Sequence, residues 1–236
     1  MKVSVCLTTH NGEKYIYDQI VSILSQIDKE DEIIISDDSS TDKTLNIINT
    51  INDKRIKVFT NNRFFHHTPN FEFAISKASG NYIFLSDQDD IWLPNKVTVM
   101  KQHLNTHNLV ISDCFVVDSD LNILKDSVRG SRKILNGILV NLIHNNFLGC
   151  CMAFDRLVLE KALPFPRNIL SHESWLGAIA GVFGKTIFID DKLILYRRHN
   201  FNYSNTLNGS NLTLYYKLKY RFFIILNLII RYLKKN

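Results

Sequence analysis

The stretch Asn81-Tyr82-Ile83-Phe84-Leu85-Ser86-Asp87-Gln88-Asp89-Asp90-Ile91-Trp92 joins a continuous apolar run to three carboxylates within four residues. Bounded upstream by Gly80, the apolar run reads as a buried strand, so the acids sit where a strand ends and a loop begins. In open α/β sheets, ligands bind at the carboxyl ends of the strands. Carboxylates crowded there repel one another unless a cation or a set of donors compensates them. A hard divalent ion, held by one or two carboxylates together with substrate phosphates, meets that need. Taken alone, a D-x-D is more simply a solvated acidic turn capping the next helix. The segments on either side decide between the two.

Upstream, strand-like and helix-like segments alternate. Val3–Thr8, Glu32–Ser36 and Ile56–Thr60 are short β-rich runs. Between them, Lys14–Ser25 carries apolar residues at helical spacing, Lys43–Ile51 reads as a helix capped by Ser40 or Thr41, and Asn70–Ser79 as another. This alternation predicts an α/β fold with a mostly parallel sheet and helices on both faces. Downstream, the spacing predicts strands at Leu109–Phe115, Phe147–Phe154, Lys185–Ile189 and Lys192–Tyr196. It also predicts a turn at Asp118–Ile123 and helices at Ile134–Leu142, Asp155–Ala162 and Glu173–Val182. His66-His67 read as surface residues of a variable loop.

The 236 residues suffice for one large domain, and 45% hydrophobic with 22% charged residues is ordinary for a globular chain. The net charge of +5 is lopsided: from Leu212 onward there are six basic residues and no acid, leaving the rest close to neutral. That pattern argues for a basic tail and against a nucleic-acid-binding domain. Cys6, Cys114, Cys150 and Cys151 show neither C-x-x-C spacing nor a disulfide framework, which fits a reducing, cytoplasmic setting. The apolar run after Lys2 is too short for a signal peptide, and no stretch reaches the roughly 18–20 apolar residues that span a bilayer.

Six stretches, in order, resemble the family 2 glycosyltransferases of the GT-A fold, and within them the bacterial rhamnosyltransferase-like members. They are Val3–Gly12, Glu32–Asp42, Ser86–Trp92, Asn146–Ala153, His172–Leu176 and Tyr196–Asn200, together spanning roughly residues 3 to 203. The resemblance implies a GT-A, Rossmann-like domain over 1–205, with a nucleotide-binding half to about 115 and an acceptor half beyond it. A basic amphipathic tail at 206–236 completes the chain. It also implies an inverting transfer of a hexose, rhamnose being the first expectation, from a dTDP- or UDP-sugar to a glycan or lipid-linked acceptor with Mn or Mg as cofactor.

The site residues follow from that resemblance. Thr8 and Asn11, on the loop after the first strand, together with Asp37, are placed at the nucleotide, as is Asp87 beside the ribose and metal. Asp38 either shares the part of Asp37 or caps its turn. Asp89 becomes the main metal ligand, with His199 at the metal or phosphate and Arg197 and Arg198 toward the diphosphate. Asp90 reads as a helix cap before Trp92, and Trp92 as packing. Glu173 is the candidate catalytic base, since a hydroxyl nucleophile must lose its proton; the alternative is a carboxylate that merely opens a helix. Relatives often carry His-Asp-Trp-Trp where this chain has His172-Glu173-Ser174-Trp175, so the acceptor side departs from the pattern. Arg129–Lys133 is either a basic loop closing over the donor or a solvated one, and Gly149-Cys150-Cys151 is expected to floor the acceptor site. The tail's aromatic and aliphatic residues with interspersed Lys and Arg suit a helix lying on the inner membrane surface, against the alternative of packing on protein. The rival function is a nucleotide-sugar-binding or membrane scaffold that has lost catalysis.

Overall fold

The computed structural model describes residues 1–60, 62–130, 147–199 and 213–235. The predicted helix at Ile134–Leu142 and residues 131–133 of the basic loop lie outside them, as does the 205/206 boundary. Runs that are apolar on both faces become the buried parallel strands β1 (Val3–Thr9), β2 (Glu32–Asp37) and β4 (Tyr82–Ser86), and the part-exposed β3 (Ile56–Phe59) pairs on the edge of β2. They are joined through α1 (Ile16–Leu24), α2 (Thr44–Thr50) and α3 (His67–Ser76). The short β5 (Ile91–Trp92), α4 (Lys96–Leu104), β6 (Leu109–Val117) and β7 (Ile123–Lys125) follow. After the undescribed segment come a 3-10 turn at Gly149–Cys151, β8 (Met152–Asp155), α5 (Arg156–Ala162), α6 (His172–Phe183), β9 (Thr186–Arg197) and α7 (Leu214–Lys235).

These strands form one sheet in the order β3-β2-β1-β4-β8-β6-β9-β5, with β7 paired to β6. Strands β3 to β4 are parallel, β8 runs antiparallel to both β4 and β6, and β6 is parallel to β9. The register sets Thr9 opposite Asp37 and Leu7 opposite Ser86. Three expected ligand-binding loops therefore leave one edge of the sheet together, at its carboxyl ends.

Several local expectations are corrected. Helix α2 is capped by neither Ser40 nor Thr41; Asp42 accepts the backbone N–H of Thr44 at 3.0 Å. Helix α3 begins at His67, because the His66 ring accepts from Thr68 N and caps it, so His66-His67 are not a surface loop. Asp90 caps no helix, since Ile91–Trp92 is a strand paired with β9. The two strands expected at 185–196 are one twelve-residue strand with register shifts against β6. Helix α6 is capped by Ser171, whose hydroxyl accepts from Ser174 N at 3.1 Å.

The tail helix α7 docks by one face. Ile224 and Leu228 are buried, and Arg231 donates to Leu163 O at 2.7 Å with its guanidinium 5.8 Å from the Trp175 ring. Its other face leaves Leu218, Phe222, Ile225, Ile229 and Leu233 exposed. Among the described residues, no helix is long and apolar enough to cross a membrane.

Candidate active site

The acidic loop is held from three sides. Gln88 turns back onto the end of β1, where its Oε1 accepts from Thr9 Oγ1 at 2.6 Å and from His10 N at 2.8 Å. A Cβ on Gly12 would stand 2.6 Å from that oxygen, so a larger residue there would displace the Gln88 amide. Arg197 straps the loop from β9, its Nε donating to Asp89 O at 2.8 Å and its N–H to Asp90 Oδ1 at 3.1 Å. The guanidinium also donates to Ser119 O at 2.6 Å and lies 4.4 Å from the Tyr15 ring. Arg197 is 3% exposed and braces the acidic loop from behind. The half-buried Arg198 beside it is the more accessible cation.

Asp89 and His199 meet across 110 positions of sequence, Oδ2 to Nε2 at 2.9 Å. The His199 ring stacks on Tyr15 at 5.0 Å, which fixes its plane. Burial, and then the charges of Asp89 and Glu173, push the Asp87 carboxyl up to about 8. Asp90 is pushed well above the ordinary carboxylate range by burial and by Asp89, and its Oδ2 is buried without a hydrogen-bond partner. One carboxylate oxygen each from Asp87 and Asp90 lies within 4.8 Å of Cys150 Sγ. Burial holds that thiol protonated, leaving oxygens as the donors. Asp87 and Asp90 fit a hard dication, since a positive charge shared between them would relieve the burial and mutual repulsion that raise both carboxyls, and the Asp89–His199 pair lies on the same loop.

On the nucleotide side, Thr8 lies nearly buried at the end of β1. Asn11, at φ 50, is exposed and links the first two loops, its Oδ1 accepting from Thr41 N at 2.8 Å and its N–H reaching Ser40 Oγ at 2.9 Å. Asp37 is fully buried and accepts Ser40 N at 2.8 Å, while Asp38 accepts Phe64 N at 2.6 Å. Both carboxylates thus hold the loops that follow β2 and β3.

Glu173 occupies the first turn of α6, half-buried, with Oε2 3.2 Å from His172 Nδ1. Burial raises its carboxyl above the usual glutamate range. His172 is stacked on Phe71 at 4.1 Å and faces Gly149, where a Cβ would stand 2.7 Å from Nε2. The segment Gly149–Cys151 therefore floors the space between the acidic loop and Glu173. The Glu173 charge contributes to raising the Asp87 carboxyl, after burial and Asp89.

Lys96, Gln88, Tyr15 and His67 carry contacts that sequence reasoning missed. Lys96 is fully buried, its Nζ donating to Cys150 O at 2.8 Å and lying 4.6 Å from the Trp92 ring. Its charge stabilises the ionised form of Asp87 from below. Lys96→Met leaves the Cys150 carbonyl without its donor and the acids without a counter-charge. Unfolding by denaturant should show a loss of about 1–3 kcal/mol, part of which Mn2+ restores.

Residues 4–163 match the sequence profile described as Glycosyl transferase family 2. The Escherichia coli UDP-Glc:alpha-D-GlcNAc-diphosphoundecaprenol beta-1,3-glucosyltransferase WfaP is 38% identical over 110 residues, covering 47% of this chain and 44% of that protein. The dTDP-rhamnosyl transferase RfbG of Shigella flexneri is 28% identical over 235 residues, covering 91% of this chain and 77% of its own length. Among solved structures, the mannosyltransferase PcManGT of Pyrobaculum calidifontis, in complex with GDP-Man and Mn2+, superposes with a TM-score of 0.67. It is 20% identical, covering 85% of this chain and 58% of that one. The chain thus spans less than half of the first relative's length.

Proposed function

The chain belongs to glycosyl transferase family 2, and from that membership we propose a metal-dependent, inverting hexosyltransferase. It takes a UDP- or dTDP-linked sugar, glucose or rhamnose, and acts on a lipid-linked glycan acceptor. The observation that carries this reading is the meeting of Asp89 with His199 at 2.9 Å at the carboxyl edge of the sheet, with the Asp87 carboxyl beside it raised in part by the Glu173 charge. Support for the donor comes from the relatives, one a UDP-Glc and one a dTDP-rhamnosyl enzyme by description.

Mn2+ or Mg2+ bound to the diphosphate supplies Lewis-acid neutralisation of the leaving group. The chain's own residues do the rest. Asp89, His199 and Asp87 provide the ligand set, Arg197 and Gln88 fix the loop that carries it, and Arg198 adds positive charge near the diphosphate. Glu173 accepts the proton of the acceptor hydroxyl as its oxygen attacks the anomeric carbon. The bond from that carbon to the diphosphate oxygen breaks, and its electron pair leaves with the nucleoside diphosphate. A carboxylate serves in this role because one displacement requires one base on the acceptor side. In this reading residues 1–205 are the catalytic domain and 206–236 its tail.

Release of nucleoside diphosphate is the test, measured with UDP-glucose, UDP-GlcNAc, dTDP-rhamnose and GDP-mannose against lipid-linked sugar diphosphate acceptors. Acceptor-dependent release from one donor supports transfer, and the anomeric proton coupling of the product reports inversion. No release from any donor would favour the scaffold reading.

The tail is proposed to rest on an anionic membrane. Its exposed stripe Leu218, Phe222, Ile225, Ile229 and Leu233 is flanked by Lys217, Lys219, Arg221 and Lys234 with no acid between. The protein should float with vesicles containing anionic lipid, less so at high salt. Phe222→Glu with Ile229→Glu should abolish flotation without lowering the melting temperature, because both side chains face outward.

A further inference from the structure

A second group of ligating side chains stands apart from the Asp89–His199 pair. His67 opens α3, while His172 and Glu173 open α6, and one ligating atom from each lies within 4.8 Å of the other two. The two imidazole rings face each other edge-on at 5.6 Å. His172 Nδ1 and Glu173 Oε2 are buried, 3.2 Å apart, and neither makes a hydrogen bond of ordinary geometry. His172 is 5% exposed and cannot turn away, being stacked on Phe71 and closed in by Gly149. Desolvation holds both imidazoles neutral, His67 pulled down to about 4 and His172 to about 3. Neutral imidazole is the form that ligates metal. Two helix N-termini converge here, and Glu173 brings the negative charge that a dication needs against them.

We propose that His67, His172 and Glu173 form a binding site for a transition-metal dication of the zinc class, separate from the acidic loop, and that its occupancy blocks the Glu173 carboxylate. Two imidazoles and a carboxylate are the donors such an ion selects, whereas Mg2+ and Mn2+ favour the oxygens of the acidic loop. Zinc bonds of about 2.0–2.1 Å set neighbouring ligand atoms roughly 3.4 Å apart, a spacing the His172–Glu173 pair already has. His67, half-buried, offers the third ligand atom within 4.8 Å of the other two. The binding claim stands on geometry alone; the inhibition rests on Glu173 being the base.

The test is a Co2+ titration of the full chain, read by the d–d absorption of imidazole-ligated cobalt and by Zn2+ competition. Because the Asp89–His199 pair can also take cobalt, the titration is made on Asp89→Asn and then on that variant with His67→Gln or Glu173→Gln added. One saturable site should remain in Asp89→Asn and weaken by about tenfold or more on adding either substitution. The added substitutions lie on different helices, so a local folding defect in one leaves the other to decide. Binding that both added substitutions leave unchanged, or that is absent from Asp89→Asn, overturns the site. With the site established, zinc should suppress transfer in the unchanged chain far more than in His67→Gln. Zinc that binds as described yet leaves transfer untouched keeps the site and removes Glu173 from the role of base.

Discussion

Glu173→Gln abolishes sugar transfer while donor binding stays intact. General-base catalysis contributes about 10²–10⁴-fold, and the amide cannot take the proton, so kcat should fall by about that factor with the donor KM unchanged. The substitution keeps the size of the side chain and its place in the first turn of α6, so the melting temperature should hold. The pH profile gives an independent reading. Burial raises the Glu173 carboxyl, and the base works only when ionised. Activity is therefore lost as pH falls through that raised value, placing the acid limb above the range of an ordinary glutamate. In Glu173→Gln this limb should vanish from the residual rate. An unchanged kcat would remove Glu173 from the chemistry and leave it as a helix-opening charge.

Asp89→Asn acts at the other end of the reacting bond. The carboxylate sits 2.9 Å from His199 Nε2, and the two would hold the metal that neutralises the leaving group. Lewis-acid stabilisation of the leaving group is worth several kcal/mol, so turnover should drop by about three orders of magnitude or more. Unlike the Glu173 variant, this one should also lose the metal-dependent part of nucleotide affinity. The loop itself should survive, because Arg197 holds it through the backbone carbonyl of Asp89 and through Asp90, neither of which the substitution alters. A stable Asp89→Asn protein with full turnover would contradict the metal assignment.

The parallel half of the sheet was legible in the sequence because its strands are apolar on both faces and punctuated by polar turns. Val3–Thr8, Glu32–Ser36 and Tyr82–Leu85 each fell within one residue of the observed strand. The acidic loop was legible because carboxylates at a strand end are conspicuous, and the meeting of Asp89 with His199 followed only from family resemblance. What stayed hidden depends on tertiary contact. Lys96 lies in a segment of ordinary helical composition, and only packing puts its ammonium against Cys150 O beneath three acids. His66-His67 carry no periodic signal, since an imidazole cap is less usual than the Ser, Thr, Asp or Asn that marks a helix start. The charge of Arg197 is visible in sequence, whereas its burial and its bonds to Asp89 O and Ser119 O are not. The tail showed its amphipathic composition, but which face docks on α6 depended on Ile224, Leu228 and Arg231 finding that helix.

The most direct measurement is thermal stability of the protein and of Asp89→Asn with UDP, dTDP, GDP and CMP, each with and without Mn2+ or Mg2+. A nucleoside-diphosphate site built on the Asp87–Asp89 loop and His199 requires a melting-temperature rise with UDP or dTDP that depends on the metal and disappears in Asp89→Asn. A rise that ignores the metal, or persists undiminished in Asp89→Asn, or no rise with any nucleotide, would contradict it.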